Sequence, residues 1–326
     1  MKTLRSWYSV DNIPLNNVVK YFVFTVLPFG LKSSACIFSK VARPLVKFWR
    51  SQSIRLVLYL DDGFWVSDNL QLSSRQAIQV KSDLISSGLV PNKDKSIWAP
   101  VQSLEWLGFV WNLTNCTLSV PDRKLFDLQE LISIVLQNCC KIRARTLAKV
   151  CGKIIAMSPA LGHLTQIMTR CMFSVLNEKS HWNQILNIAY KQDCVGELLF
   201  WKSNILKLEP QSLLQKSSSY YLYTDASNSA AAGFIENFDL VMHKPWLPSE
   251  ASKSSTWREI KAVELCVLAF LGKLRGSTVT LYTDSQNAAS IILKGSRVPE
   301  LQVLALTIFS SCRKNKIDIY TVWIPR

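Results

Sequence analysis

The hydrophobic period of this chain changes twice along its 326 residues, and its fold must accommodate both periods. Tyr21–Leu27 alternates aromatic and β-branched residues, and Ile54–Leu60 is a second strand-like run. Between Asp122 and Leu208 the repeat turns helical, with Leu125, Leu128, Leu131, Ile132, Val135 and Leu136 on one face. Strand-like runs return at Tyr220–Asp225, Ala231–Ile235, Leu240–His243, Thr278–Asp284 and Ile317–Trp323. Helical stretches at Trp257–Leu271, Ser285–Lys294 and Pro299–Arg313 now separate them. Strand-like and helical segments both recur, with a helical bundle or connector in the middle, so the expected class is α+β.

Within the first third, Pro28-Phe29-Gly30 breaks a strand before a helix over Ser33–Arg50. Asp61-Asp62-Gly63 reads as a hairpin turn returning through Phe64-Trp65-Val66. Ser74–Ser87 reads as an amphipathic helix, and Ser103–Asn112 with Thr117–Val120 as a further hairpin. Glu209–Ser219, with Pro210 and three consecutive serines, is the one stretch that reads as a linker. The expected domains are 1–120, a helical 121–215, and a mixed 216–326.

Charge narrows the partners. The chain has 38 Lys and Arg against 23 Asp and Glu, a net charge of +15, which suits a polyanion, with nucleic acid first. Lys141, Arg143, Arg145, Lys149 and Lys153 lie in or beside one helix, where a solvated face and a phosphate-tracking face are equally good readings. No apolar run reaches the roughly 18 residues that span a bilayer. The N-terminus lacks the apolar core of a secretory signal, and nine scattered cysteines without a C-x-x-C form neither a disulfide framework nor a zinc site. The expectation is an intracellular protein, cytoplasmic or nuclear, with no membrane partner. Only three histidines are present, His163, His181 and His243, so acid chemistry falls to carboxylates.

Two carboxylate groupings stand out. Asp61 and Asp62 sit at the hairpin tip, where hard cations such as Mg²⁺ find oxygen ligands, although D-D-G is also an ordinary turn. Asp225 ends one strand, Glu259 lies near a helix start and Asp284 ends another strand. Three carboxylates brought together would repel one another unless divalent cations neutralised them, and such ions clamp both oxygens of a phosphodiester displacement. Each acid also has a plainer reading. Glu259 follows Thr256 at capping-box spacing, and Asp284-Ser285 precedes a helix as an N-cap would. Glu264 is the less favoured rival because it lies among apolar neighbours, where it needs a partner. His163 is given no role, and Trp49 and Trp98 are candidates for stacking on bases.

The ordered set Leu27-Pro28-Phe29-Gly30-Leu31, Tyr59-Leu60-Asp61-Asp62, Asn92-Lys93-Asp94-Lys95 and Trp106-Leu107-Gly108-Phe109 resembles the palm motifs of reverse transcriptases. The resemblance implies that Pro28, Phe29 and Gly30 contact template and nucleotide, that Asp61 and Asp62 are catalytic metal ligands, and that Trp106, Leu107, Gly108 and Phe109 grip the primer end. Strand-D-A-S, helix-R-E and strand-D-S resemble the RNase H fold, which implies Asp225, Glu259 and Asp284 as metal ligands. The wording around Arg43-Pro44-Leu45-Val46 and Met157-Ser158-Pro159-Ala160 is most similar to DIRS-type retrotransposon polyproteins. The family implies Mg²⁺, with Mn²⁺ as an alternative, and RNA, DNA and RNA/DNA hybrid as partners. It also implies a partial palm, a helical thumb or connection and an RNase H-like domain. The only acid well upstream of Pro28 is Asp11, so a segment truncated at both ends, with an inactive polymerase, is expected. A catalytically inactive nucleic-acid-binding remnant is the alternative.

Overall fold

The computed structural model describes Leu27, residues 30–214, 216–236 and 238–325. Pro28, Phe29, Asp11 and most of the Tyr21–Leu27 run lie outside the described residues. The chain divides into two compact units, residues 1–107 and 108–326.

In the first unit, helix α1 (Lys32–Ser51) leads into an antiparallel hairpin of β1 (Arg55–Tyr59) and β2 (Asp62–Val66). Helix α2 (Leu70–Ser86) and a short strand β3 (Ser103–Trp106) follow. The Asn69 side chain starts α2 by accepting the Leu72 amide at 2.8 Å. Trp49, Ile54, Leu56 and Val80 form the core. Trp49 is 1 % exposed and donates its indole N–H to Asp83 at 2.8 Å, so this ring is a core residue and not a surface for bases. Tyr59 pairs with Asp62, so the turn is Leu60-Asp61 and not Asp61-Asp62-Gly63. Leu60 takes the positive φ of 53°, as a tight two-residue hairpin turn requires, and this moves Asp62 and Gly63 into the strand.

The second unit opens with a hairpin of β4 (Phe109–Asn112) and β5 (Thr117–Ser119). Helix α3 (Asp122–Gln137), strand β6 (Ile142–Arg143) and helix α4 (Ala144–Ala156) follow. Next come α5 (Ser158–Leu161), α6 (Leu164–Ile167), α7 (Arg170–Asn177), β7 (Ile185–Leu186) and α8 (Gln192–Asn204). Leu128, Ile132, Val135, Leu147, Ile154 and Trp201 form their common core. The apolar face expected for Asp122–Leu208 is thus the buried face, while Arg143, Arg145 and Lys149 are exposed. Strand β8 (Gln211–Ser212) pairs with β5, matching Leu118 to Gln211 and Thr117 to Ser212. The linker-like stretch is therefore tied into a sheet, because backbone pairing depends little on the polar side chains that suggested a loop.

Strands β9 (Tyr220–Ala226), β10 (Ala230–Ile235) and β11 (Leu240–Pro245) form an antiparallel meander. Helices α9 (Pro248–Ala251), α10 (Ser255–Ala269) and α11 (Leu271–Leu274) lead to β12 (Thr278–Thr283). Helices α12 (Gln286–Lys294) and α13 (Pro299–Lys314) precede β13 (Asp318–Trp323). The sheet order is β11-β10-β9-β12-β13, with β12 parallel to both β9 and β13. Leu222, Val279 and Leu281 point into a core with Ile260, Val263, Val267 and Ile308 of the helices. Tyr221, Tyr223, Phe234 and Tyr282 take the alternate side-chain positions and line the opposite face. On the helical face, a Cβ at Gly233 would lie 2.3 Å from Cys266 Sγ and 2.7 Å from the Tyr223 carbonyl, so glycine lets α10 approach β10 closely.

Candidate functional site

Strands β9 and β12 run parallel in register, Tyr223 opposite Tyr282. Asp225 and Asp284 each lie two residues further on, so side-chain alternation carries both acids to the same end of the sheet. Helix α10 supplies Glu259. One carboxylate oxygen from each of Asp225, Glu259 and Asp284 lies within 4.8 Å of the other two. Glu259 is buried, Asp284 half-buried and Asp225 exposed, so the cluster opens to solvent on one side.

Local hydrogen bonds separate these acids from the capping roles their sequence also allowed. The N-cap of α10 is Ser254, whose hydroxyl accepts the Trp257 amide at 3.2 Å, and Glu259 lies two residues beyond the capping-box position, which Trp257 occupies. The N-cap of α12 is Ser285, which accepts the Ala288 amide at 3.2 Å. Asp284 therefore stands just outside the helix. Its carbonyl receives the Trp323 indole N–H at 2.9 Å, which anchors this strand end to β13. Asp225 Oδ1 accepts the amide of Ala226 at 2.9 Å.

Buried acids outside the cluster have other roles. Lys261 donates to Glu264 at 2.7 Å, so Glu264 has the partner its burial demands. Glu197 on α8 accepts the Cys171 and Met172 amides at 2.9 and 2.8 Å, closing the N-terminus of α7. Burial pushes its pKa up to about 7 even though these hydrogen bonds favour the charged form. Nothing in the sequence around Glu197 marks it, because its partners are backbone groups 25 and 26 residues away.

Asp61 and Asp62 are exposed at the β1–β2 turn, and among the described residues no third acid joins them. Gly30 is exposed with φ 87°. Trp106 stacks on Phe64 with centroids 5.1 Å apart. Leu107 and Gly108 are consecutive residues with positive φ, 49° and 76°. Phe109 lies under the Lys124 ammonium, 5.7 Å from the ring centre, and that ammonium donates to the Gly108 carbonyl at 2.8 Å. Trp98 lies against Trp65 and beneath Lys81. His163 is exposed at the start of α6. Among the described residues no helix is long and apolar enough to cross a membrane.

Residues 1–111 match the family described as reverse transcriptase (RNA-dependent DNA polymerase). Among solved structures, the chain is similar to the foamy viral protease-reverse transcriptase in complex with dsDNA, at 14 % identity and a TM-score of 0.48, covering 92 % of this chain and 60 % of that one. It is similar to the same viral protein in complex with RNA/DNA hybrid at 14 % identity and a TM-score of 0.48, covering 90 % of this chain and 38 % of that one. RNase H1 from Halobacterium salinarum NRC-1 is similar at 13 % identity and a TM-score of 0.29, over 33 % of this chain and 86 % of that one. The chain thus spans 38 to 60 % of these viral proteins.

Proposed function

We propose that this chain is a retroelement-derived reverse transcriptase and ribonuclease H segment, of the DIRS type by its motifs, whose second unit hydrolyses the RNA strand of an RNA/DNA hybrid. The observation that carries this reading is the convergence of Asp225, Glu259 and Asp284 within 4.8 Å. The match of residues 1–111 to the reverse transcriptase family and the net charge of +15 support a nucleic-acid substrate.

The cluster fits a divalent cation by its donor chemistry. Hard cations prefer carboxylate oxygens, and three such groups this close repel one another without counter-charge. Asp225, Glu259 and Asp284 would hold Mg²⁺ or Mn²⁺. When bound, the metal lowers the pKa of water and stabilises the leaving oxygen of a phosphodiester. The chain's own contribution is placement. Buried Glu259 is fixed on α10, and Trp323 and Ser285 hold the backbone on either side of the Asp284 carboxylate. The open side at Asp225 admits the substrate phosphate.

In the first unit, Asp61 and Asp62 are the proposed polymerase metal ligands. Pro28, Phe29, Gly30 and Trp106–Phe109 are the proposed nucleotide and primer contacts. We assign hydrolysis, not primer extension, as the activity of this chain, because the three-acid cluster lies in the second unit. A labelled RNA/DNA hybrid incubated with Mg²⁺ or Mn²⁺ tests this. Cleavage of the RNA strand that Asp284→Asn abolishes supports the assignment. Primer extension that Asp61→Asn abolishes, without RNA cleavage, overturns it.

A further inference from the structure

In the second unit α6 packs against α12, and α7 joins this seam through the Arg170 side chain, which reaches the Lys294 carbonyl and lies against Gly295 of the loop before α13. Gln302 on α13 is 5 % exposed, donates to the Ile167 carbonyl at 3.0 Å and accepts the Ser296 amide at 2.8 Å. Gly295, with φ 72°, lets the loop sit so low that a Cβ there would be 2.5 Å from Gln302 Oε1 and 2.9 Å from Arg170 Cγ. This framework carries four basic side chains. His163 begins α6, Arg170 begins α7, Lys294 ends α12 and Arg297 lies in the loop.

Arg170 spends its Nε–H on the Lys294 carbonyl at 2.5 Å, which is its one hydrogen bond among the described residues. The C-terminal dipole of α12 accounts for Lys294 and for this bond, but not for Arg297 and His163. Among the described residues none of the three cations, Arg170, Lys294 and Arg297, is in an ion pair, and His163 stands beside them as an imidazole. Burial lowers the Arg170 pKa, and the Arg297 charge lowers it further. Burial likewise lowers the His163 pKa, with a further contribution from Lys294. The acid that acts on Arg170 is Glu197, whose oxygens are taken by the α7 amides and whose burial favours its neutral form. Like charges held together without an internal counter-charge cost energy that an external anion offsets.

We infer that His163, Arg170, Lys294 and Arg297 form a phosphate-binding seam that takes the backbone of the nucleic-acid substrate away from the cut. The inference rests on the nucleic-acid reading proposed above. Asp284 lies one residue before the Ser285 cap of α12 and Lys294 ends that helix, whose first and last residues are about 12 Å apart along its axis, roughly three to four phosphates of one strand. Arg170 supplies the directional donors, and Lys294 and Arg297 supply exposed charge.

The test is binding of a labelled RNA/DNA hybrid by the full chain between about 50 and 200 mM salt. The double variant Lys294→Gln/Arg297→Gln is compared with a charge-matched pair elsewhere in the second unit, Lys314→Gln/Lys316→Gln. Seam variants are expected to weaken binding about tenfold and to reduce the magnitude of the salt slope by about 1.8, at ~0.9 per lost phosphate contact. The control pair should leave the slope within about 0.5 of the parent. Equal losses in both pairs, or an unchanged slope in the seam variant, overturn the proposal. So does inorganic phosphate that raises the thermal midpoint of the parent alone while both proteins bind hybrid equally, which means an adventitious ion only. RNA cleavage by the parent that Asp284→Asn abolishes keeps the functional reading intact even where the seam fails. Unchanged thermal midpoints of the variants establish that folding is not the cause.

Discussion

Tyr223 and Tyr282 stack across the parallel strands β9 and β12, ring centroids 4.7 Å apart and planes 13° from parallel. The pair fixes the register that delivers Asp225 and Asp284 together two residues later. Phe234 extends the stack from β10, 4.8 Å from Tyr223. Replacing Tyr282 by Ala is expected to cost about 1 kcal/mol beyond the area lost and to reduce RNA cleavage. Urea unfolding combined with the cleavage assay checks this, and normal cleavage at lowered stability would show that the stack does not hold the acids.

Charge relief is a separate signature of the acid cluster. In EDTA, Asp284→Asn should unfold at a higher temperature than the parent, because it removes one of three crowded negative charges. Mg²⁺ should then stabilise the parent more than the variant. A thermal scan in EDTA and in Mg²⁺ measures both, and identical shifts would remove the metal assignment.

The close approach at Gly233 is rigid on one side, where the Tyr223 carbonyl would lie 2.7 Å from a new Cβ. Gly233→Ala is expected to cost about 1–3 kcal/mol through overpacking. It should also displace α10 and with it Glu259, lowering kcat more than a surface substitution of equal stability cost. Cleavage kinetics at matched folded fraction separate the two effects.

Glu197 gives stability a pH dependence. Its folded pKa of about 7 is above the ordinary value of 4.5, so between these values the folded state holds a proton that the unfolded state has released. This contribution is full below about pH 4.5 and is lost as pH rises through about 7. The slope is on the order of 1 kcal/mol per pH unit between them. Glu197→Gln should flatten the curve in that window while losing some stability at pH 5, because one amide of α7 then faces an N–H₂ group. Parallel urea-unfolding curves for parent and variant from pH 5 to 8 would contradict the assignment.

Asp61 belongs to the first unit, and the acid cluster to the second. Asp61→Asn is expected to leave RNA cleavage within about twofold of the parent, as for an exposed substitution that removes no member of the cluster. A loss of tenfold or more in the cleavage assay would tie the two units together in one reaction.

The elements of residues 220–323 were legible because each carries a clear period and a turn residue at its end. The strand read at Thr278–Asp284 is observed at Thr278–Thr283, and the helix read at Ser285–Lys294 at Gln286–Lys294. Cap choice was less legible. Both Thr256 and Ser254 suit the start of α10, and only backbone geometry selects Ser254. The two-residue strands β6, β7 and β8 are too short to show a period, and long-range pairing creates them. Trp49 sits among basic residues in the sequence, yet the amphipathic face of α1 turns it inward to Asp83. The acids of the candidate centre were legible singly as strand-end and helix residues. Their mutual distance depends on the β9–β12 register, which no local signal encodes.

The pairing of β8 with β5 has a bearing on how such a chain can be reshuffled. A recombination junction placed in the serine-rich stretch after Leu214 would carry the five-stranded sheet away as a cassette and leave Gln211–Ser212 on its donor. A junction placed before Gln211 would strip β5 of its neighbour and bare the backbone beside Leu118. A junction at the serines thus spares the β5–β8 pair, and its cost falls instead on the seam, where the Ile167 carbonyl would lose the Gln302 side chain.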